Sequence, residues 1–69
     1  MKRKRLIEYR GKRSQAEIAK LYGVTQQAWE KWENGKSIPR VKIMKQLEVD
    51  SGIPMEKMFF DVFYNNKKL

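Results

Sequence analysis

Residues 14–35 read SQAEIAKLYGVTQQAWEKWENG, from Ser14 to Gly35, and they predict two short helices joined by a sharp turn. Ser14 and Glu17 form an S-x-x-E pair. At that spacing the serine hydroxyl caps a first-turn amide while the glutamate reaches back to the cap. Ile18, Leu21 and Tyr22 then recur at helical spacing and predict one apolar face. The Ala19 methyl beside that face lets another helix come close. Gly23 follows the last periodic residue, where a left-handed stop belongs. Thr25 is a good N-cap for the next helix, and Val24 before it is placed to staple onto Trp29. Trp29 and Trp32 are three apart and share a face, and Gly35 closes the second helix.

If Trp29 and Trp32 point inward, then Gln26, Gln27, Glu30 and Lys31 point outward. A glutamine amide offers one donor and one acceptor, the pair that grips adenine on its major-groove edge. Lys31 could donate to guanine or neutralise a phosphate. Glu30 could accept from cytosine N4, orient a neighbour, or serve only as a solubilising helix residue. Exposed tryptophans could stack on unpaired bases. The two-helix periodicity places them instead against Ile18, Leu21 and Tyr22, so core is the stronger reading. A second helix that leads with polar side chains is the pattern of a helix-turn-helix reader.

The stretch resembles the Cro/repressor-type (xenobiotic-response-element-like) helix-turn-helix family of phage and bacterial regulators. The residues that carry the resemblance are Gln15, Ala19, Gly23, Val24 and the closing Glu33-Asn34-Gly35. Thr25-Gln26-Gln27 is similar to the start of the reading helix in lambdoid phage repressors. The resemblance runs from about Arg5 to Phe60. It implies an all-α bundle of about five short helices, of the lambda-repressor-like DNA-binding type. It implies that Gln26, Gln27 and Lys31 read base edges, with Thr25 and Glu30 assisting. It also implies phosphate contacts from Gln15, Asn34, Lys36 and Arg40. In the family a buried arginine of the first helix often pairs with the glutamate at the Glu33 position, a part that Arg10 or Arg5 could play here. Lambdoid relatives often have glutamine where this chain has Lys31, so the inner bases read are expected to differ.

The rest of the chain is consistent with that reading. Sixty-nine residues allow one core, and so small a core is marginal alone. The domain is expected over 1–60, with the motif at 14–35 and an aromatic and basic tail over 61–69. Sixteen Lys and Arg against eight Asp and Glu give +8, a surplus that favours a polyanionic partner over a merely solvated surface. There is no Cys and no His. That removes a disulfide framework, a thiol nucleophile, a Cys-based zinc site and the commonest general base. Glu8, Glu17, Glu30 and Glu33 fall on different helix faces, which argues against a paired acid/base site. No cofactor, metal or small-molecule pocket is legible. No apolar run reaches membrane-spanning length and no secretion signal is visible, so a cytoplasmic protein is expected.

Met1 to Arg13 holds seven Lys and Arg against the single Glu8. Leu6, Ile7 and Tyr9 predict a short amphipathic helix after a basic start, ended by Gly11. Lys2 to Arg5 read equally as a phosphate-facing arm or a solvated helix end. Pro39 sets the entry to a helix over about Arg40 to Val49. Its apolar stripe is Val41, Met44 and Leu47, or Ile43 and Leu47, and Gly52 stops it. Ile53-Pro54 opens a last short helix with Met55, Met58 and Phe59 inward, the methionines serving as core filler. Phe60, Val62, Phe63 and Tyr64 continue as helix or as an edge strand. They either contribute to a homodimer contact or fold back over the chain's own core.

The function these features predict is sequence-specific binding of double-stranded DNA by a homodimer on a near-palindromic site, to regulate transcription as a repressor. The alternative is a protein-interaction module, such as an antitoxin or antirepressor, whose basic face meets an acidic protein. An enzyme has little support.

Overall fold

The structure, a computed structural model, describes residues 1–64. The Asn65-Asn66-Lys67-Lys68 end of the expected tail lies outside the described residues. Six helices follow one another: α1 (Lys4–Arg10), α2 (Gln15–Leu21), α3 (Gln26–Glu33), α4 (Val41–Ser51), α5 (Met55–Met58) and α6 (Phe60–Tyr64). Among the described residues there is no strand, which makes the chain all-α. The count exceeds the expected five because Phe59 leaves helical geometry (φ −116°, ψ 47°) and breaks the last segment in two. None of the described helices is long and apolar enough to cross a membrane.

The local signals around α2 and α3 act as their chemistry dictates. Ser14 and Glu17 form the reciprocal capping box. The Thr25 hydroxyl accepts from the Ala28 amide at 3.1 Å and starts α3. Gly23 and Gly35 both have positive φ, 68° and 73°. At each, two following amides turn back onto the helix: Gly23 N–H to Lys20 and Val24 N–H to Ala19, then Gly35 N–H to Trp32 and Lys36 N–H to Lys31. This double closure satisfies carbonyls that the helix end would leave bare.

The core is built from Leu6, Ile18, Ala19, Trp29, Trp32, Met44, Leu47, Met58 and Phe59. Helix α2 packs chiefly on α3, α1 meets α3 and α5, and α4 meets α5. Both indoles are inside, Trp29 at 0% and Trp32 at 5% exposure, so base stacking by them is excluded. Tyr22 stacks on Trp29 at 5.7 Å between ring centroids.

Two apolar expectations fail. Leu21 is 67% exposed, because α2 buries Ile18, Ala19 and Tyr22. At about 100° per residue, that face is centred toward Ala19 and leaves Leu21 outside it. Val41 is 68% exposed for the same reason: Ile43, Met44 and Leu47 define the inner face of α4. In the tail, Val62 leaves the expected homodimer contact and takes the fold-back reading. It packs against the chain's own core, while Phe60, Phe63 and Tyr64 stay exposed.

The two glycines separate backbone strain from steric conflict. A Cβ on Gly23 would meet nothing within 4 Å, whereas one on Gly35 would sit 2.6 Å from the Met1 carbonyl oxygen. Gly23→Ala is expected to lose about 1 kcal/mol, the left-handed backbone cost alone. Gly35→Ala should lose at least twice as much in urea unfolding. Equal losses would show that the segment at Met1 yields freely.

Candidate nucleic-acid interface

The candidate surface is built on α3, and α3 is held by Glu33. This carboxylate is 3% exposed. It accepts from Arg10 Nε at 2.6 Å and Nη2 at 3.2 Å, from Gln15 Nε2 at 2.9 Å and from Trp29 Nε1 at 2.7 Å. Helices α1, α2 and α3 therefore meet at one side chain. Of the two arginines that could pair with Glu33, Arg10 does so. Arg5 is exposed and lies 3.8 Å from Glu8.

With Trp29, Trp32 and Glu33 turned in, Gln26, Gln27, Glu30 and Lys31 are all exposed. Helical geometry spreads these four over an arc of about 140°, in the order Gln26, Glu30, Gln27, Lys31. Thr25 is exposed too, but its oxygen is committed to capping. The structure thus gathers four of the five expected base-reading residues on one side of α3, with Thr25 at its cap.

The expected phosphate contacts are more dispersed. Gln15 is half-buried, not a freely solvated polar residue, because one amide hydrogen serves Glu33. Asn34 is the C-cap of α3 and is half-buried. Lys36 is exposed one residue past Gly35, and Arg40 is exposed as the N-cap of α4. Asn34 and Lys36 share the short loop after α3, Arg40 lies beyond the buried Pro39, and Gln15 belongs to α2.

Arg3 went unrecognised among the basic residues. It is neither arm nor solvated end but is 4% exposed. Its Nη1 donates to the Trp32 and Ser37 carbonyls, and its Nε and Nη2 fork onto Asp61. A second polar chain ties α1, α2 and α4. Tyr22 donates to Asp50 at 2.7 Å, which leaves Tyr9 to donate to the Tyr22 oxygen, also at 2.7 Å. Burial, then the hydrogen bonds with Tyr9 and Asp50, push the Tyr22 phenol far above its ordinary range, so it stays protonated. Among the described residues no cluster of carboxylates could hold a metal ion.

Burial alone would raise the Glu33 carboxyl. The bonds from Arg10, Gln15 and Trp29, with the charge of Arg10, outweigh it and hold the group below its ordinary value of 4.5. A carboxyl lowered in the folded state stabilises the fold above its unfolded value. That contribution is lost as pH falls through the folded value. Thermal stability should therefore drop as the solution is taken below pH 4.5. Glu33→Gln should flatten that drop and cost about 3 kcal/mol at neutral pH, since it strips Arg10 of its partner. An unchanged acid limb in the variant would remove Glu33 from this role.

A family model described as helix-turn-helix, of the lambda repressor/Cro type, matches residues 2–56. No curated protein and no solved structure matches the chain. The matched span takes in α1 to α4 and the start of α5, including every residue on the exposed face of α3. With the capped helix pair, its tight turn and its outward amides in place, the chain belongs to the lambda repressor/Cro-type helix-turn-helix family, whose members are DNA-binding regulators.

Proposed function

We propose that this protein is a sequence-specific repressor of the kind phages and bacteria use, acting in the cytoplasm on double-stranded DNA. The observation that carries the reading is the outward pair Gln26 and Gln27 on the first turn of α3, opposite two buried indoles. Amides so placed can each offer a donor and an acceptor to adenine in the major groove. Lys31 reads guanine one turn further on. Glu30 accepts from cytosine or orients its neighbours, and Thr25 assists from the cap. Gln15, Asn34, Lys36 and Arg40 hold phosphates and set register, with Gln15 offering the amide hydrogen that Glu33 does not use.

The reader works as a homodimer. Phe60, Phe63 and Tyr64 are exposed together on α6, with Phe60 and Tyr64 rings 5.2 Å apart. They provide the contact between copies, while Val62 holds α6 to its own core. Two copies then set their reading helices roughly 34 Å apart, one DNA turn, on a near-palindromic site.

Selection of bound duplexes from a random pool tests the reading directly, since it returns motif, symmetry and spacing together. On the selected site Gln26→Ala should cost about 1–3 kcal/mol and relax preference at one base pair. Lys36→Ala should weaken all sequences alike and reduce the salt slope by about one. An intact base preference in Gln26→Ala would sink the assignment of the reader. Light scattering of Phe63→Glu against the parent tests the dimer: the parent should show dimer mass and the variant monomer mass.

A further inference from the structure

Arg3 encloses the loop that carries two of the proposed phosphate contacts. One nitrogen, Nη1, donates to the Trp32 carbonyl at 2.8 Å and to the Ser37 carbonyl at 2.6 Å. Those carbonyls stand at either end of the run Glu33-Asn34-Gly35-Lys36. The Arg3 backbone N–H donates to the Glu33 carbonyl at 2.8 Å. Two carbonyls from the last turn of α3 are thus taken by one residue that precedes α1. The Met1 carbonyl lies against Gly35 on the same loop.

The guanidinium is planar, so fixing one edge aims the other. Its Nε and Nη2 form a two-pronged bond to Asp61 of α6, both at 2.9 Å. Its carbon sits 5.2 Å from the centre of the Phe59 ring. The Asp61 fork therefore sets the plane of the guanidinium and, through it, where Nη1 points. The bond from Arg3, and then its charge, outweigh burial and keep the Asp61 carboxyl below its ordinary range, which makes it a standing anion for this fork.

We propose that Arg3 is a positioning residue for DNA binding, which holds Asn34 and Lys36 in place for phosphate, and that Asp61 makes this hold depend on α6. The inference rests on the reading of Asn34 and Lys36 as phosphate contacts. Neither Arg3 nor Asp61 touches DNA in it. Arg3 is sealed inside, so this member of the basic N-terminal run contributes aim and no field at the surface. Lysine cannot replace it, since an ammonium lacks the planar fork.

The test uses the full chain with Asp61→Asn, Asp61→Glu and Lys36→Ala, at a temperature where circular dichroism shows each variant folded. In the free protein, Asp61→Asn should shift the amide signals of Lys36 and Ser37 and speed their hydrogen exchange. On the selected duplex it should weaken binding roughly three- to tenfold and flatten the salt slope by about one, the loss of one phosphate contact. Preference among base pairs should not move. Asp61→Glu, which keeps the carboxylate, should recover most of the loss. Combined with Lys36→Ala, Asp61→Asn should add less than it costs alone, because the Lys36 contact is already gone and only that of Asn34 remains to be lost. Parent affinity and slope in folded Asp61→Asn, or a fully additive double variant, would overturn the proposal. If the parent selects no duplex at all, the repressor reading fails by itself. The Lys36 and Ser37 amides then report alone, and unmoved amides sink the hold of Arg3 on the loop.

Discussion

A carboxylate taken out of water is costly unless every lone-pair direction finds a donor. Glu33 meets that condition with four hydrogen bonds from three helices. Its placement at the end of α3 has a geometric consequence. Trp29 lies one turn earlier on the same face and donates its indole N–H to the carboxylate. The rotation of α3 about its axis is fixed by that pair together with Arg10 and Gln15. No other rotation keeps Glu33 supplied with donors and both indoles dry. The outward position of Gln26 and Gln27 is thus the far side of a buried electrostatic arrangement, not a preference of the glutamines.

The basic surplus must be divided in the same physical terms. Arg3 is neutralised by Asp61 and Arg10 by Glu33, each inside the domain. Net charge stays at +8, since each internal arginine cancels one carboxylate. The surplus seen by a polyanion therefore comes from the remaining cations, among them Lys31 exposed on α3 and Lys36 and Arg40 exposed between α3 and α4. A charge count made on sequence alone treats Arg3 and Lys2 as equals. Burial makes one a structural clamp and leaves the other in solvent.

Legibility in the sequence followed the range of the interaction. The capping box at Ser14 and Glu17, the Thr25 cap and the two turn glycines are local, and each was readable from a few neighbours. The indoles were readable because helical period places them on one side. Leu21 and Val41 misled because spacing alone admits two centres for an apolar arc. Only the packing of Ala19 in α2, and of Ile43 in α4, chooses between them. The bond from Arg3 to Asp61 spans 58 positions and that from Arg10 to Glu33 spans 23. The family resemblance pointed to Glu33 as partner for Arg10 or Arg5, and the fold chose Arg10, whereas nothing near Arg3 announces Asp61.

The long-range pairs also answer how such short helices persist. Helices α1 and α2 have seven residues each and α5 has four, well below the length at which an isolated helix is stable in water. Each must draw its order from contacts to the others. In α2 that contact is Ala19 and Ile18 against α3, with Gln15 on Glu33. In α1 it is Leu6 in the core, Arg10 on Glu33, and Arg3 just before the helix on the loop beyond α3. The polar links among these end on α3 or its closing loop, the segment proposed to read DNA, while α5 draws its order from α1, α4 and α6. The helix proposed to read DNA is therefore also one on which α1 and α2 depend. A change that tilts α3 disturbs the fold, and a change that loosens the fold blurs the placement of Gln26 and Gln27 toward a base pair.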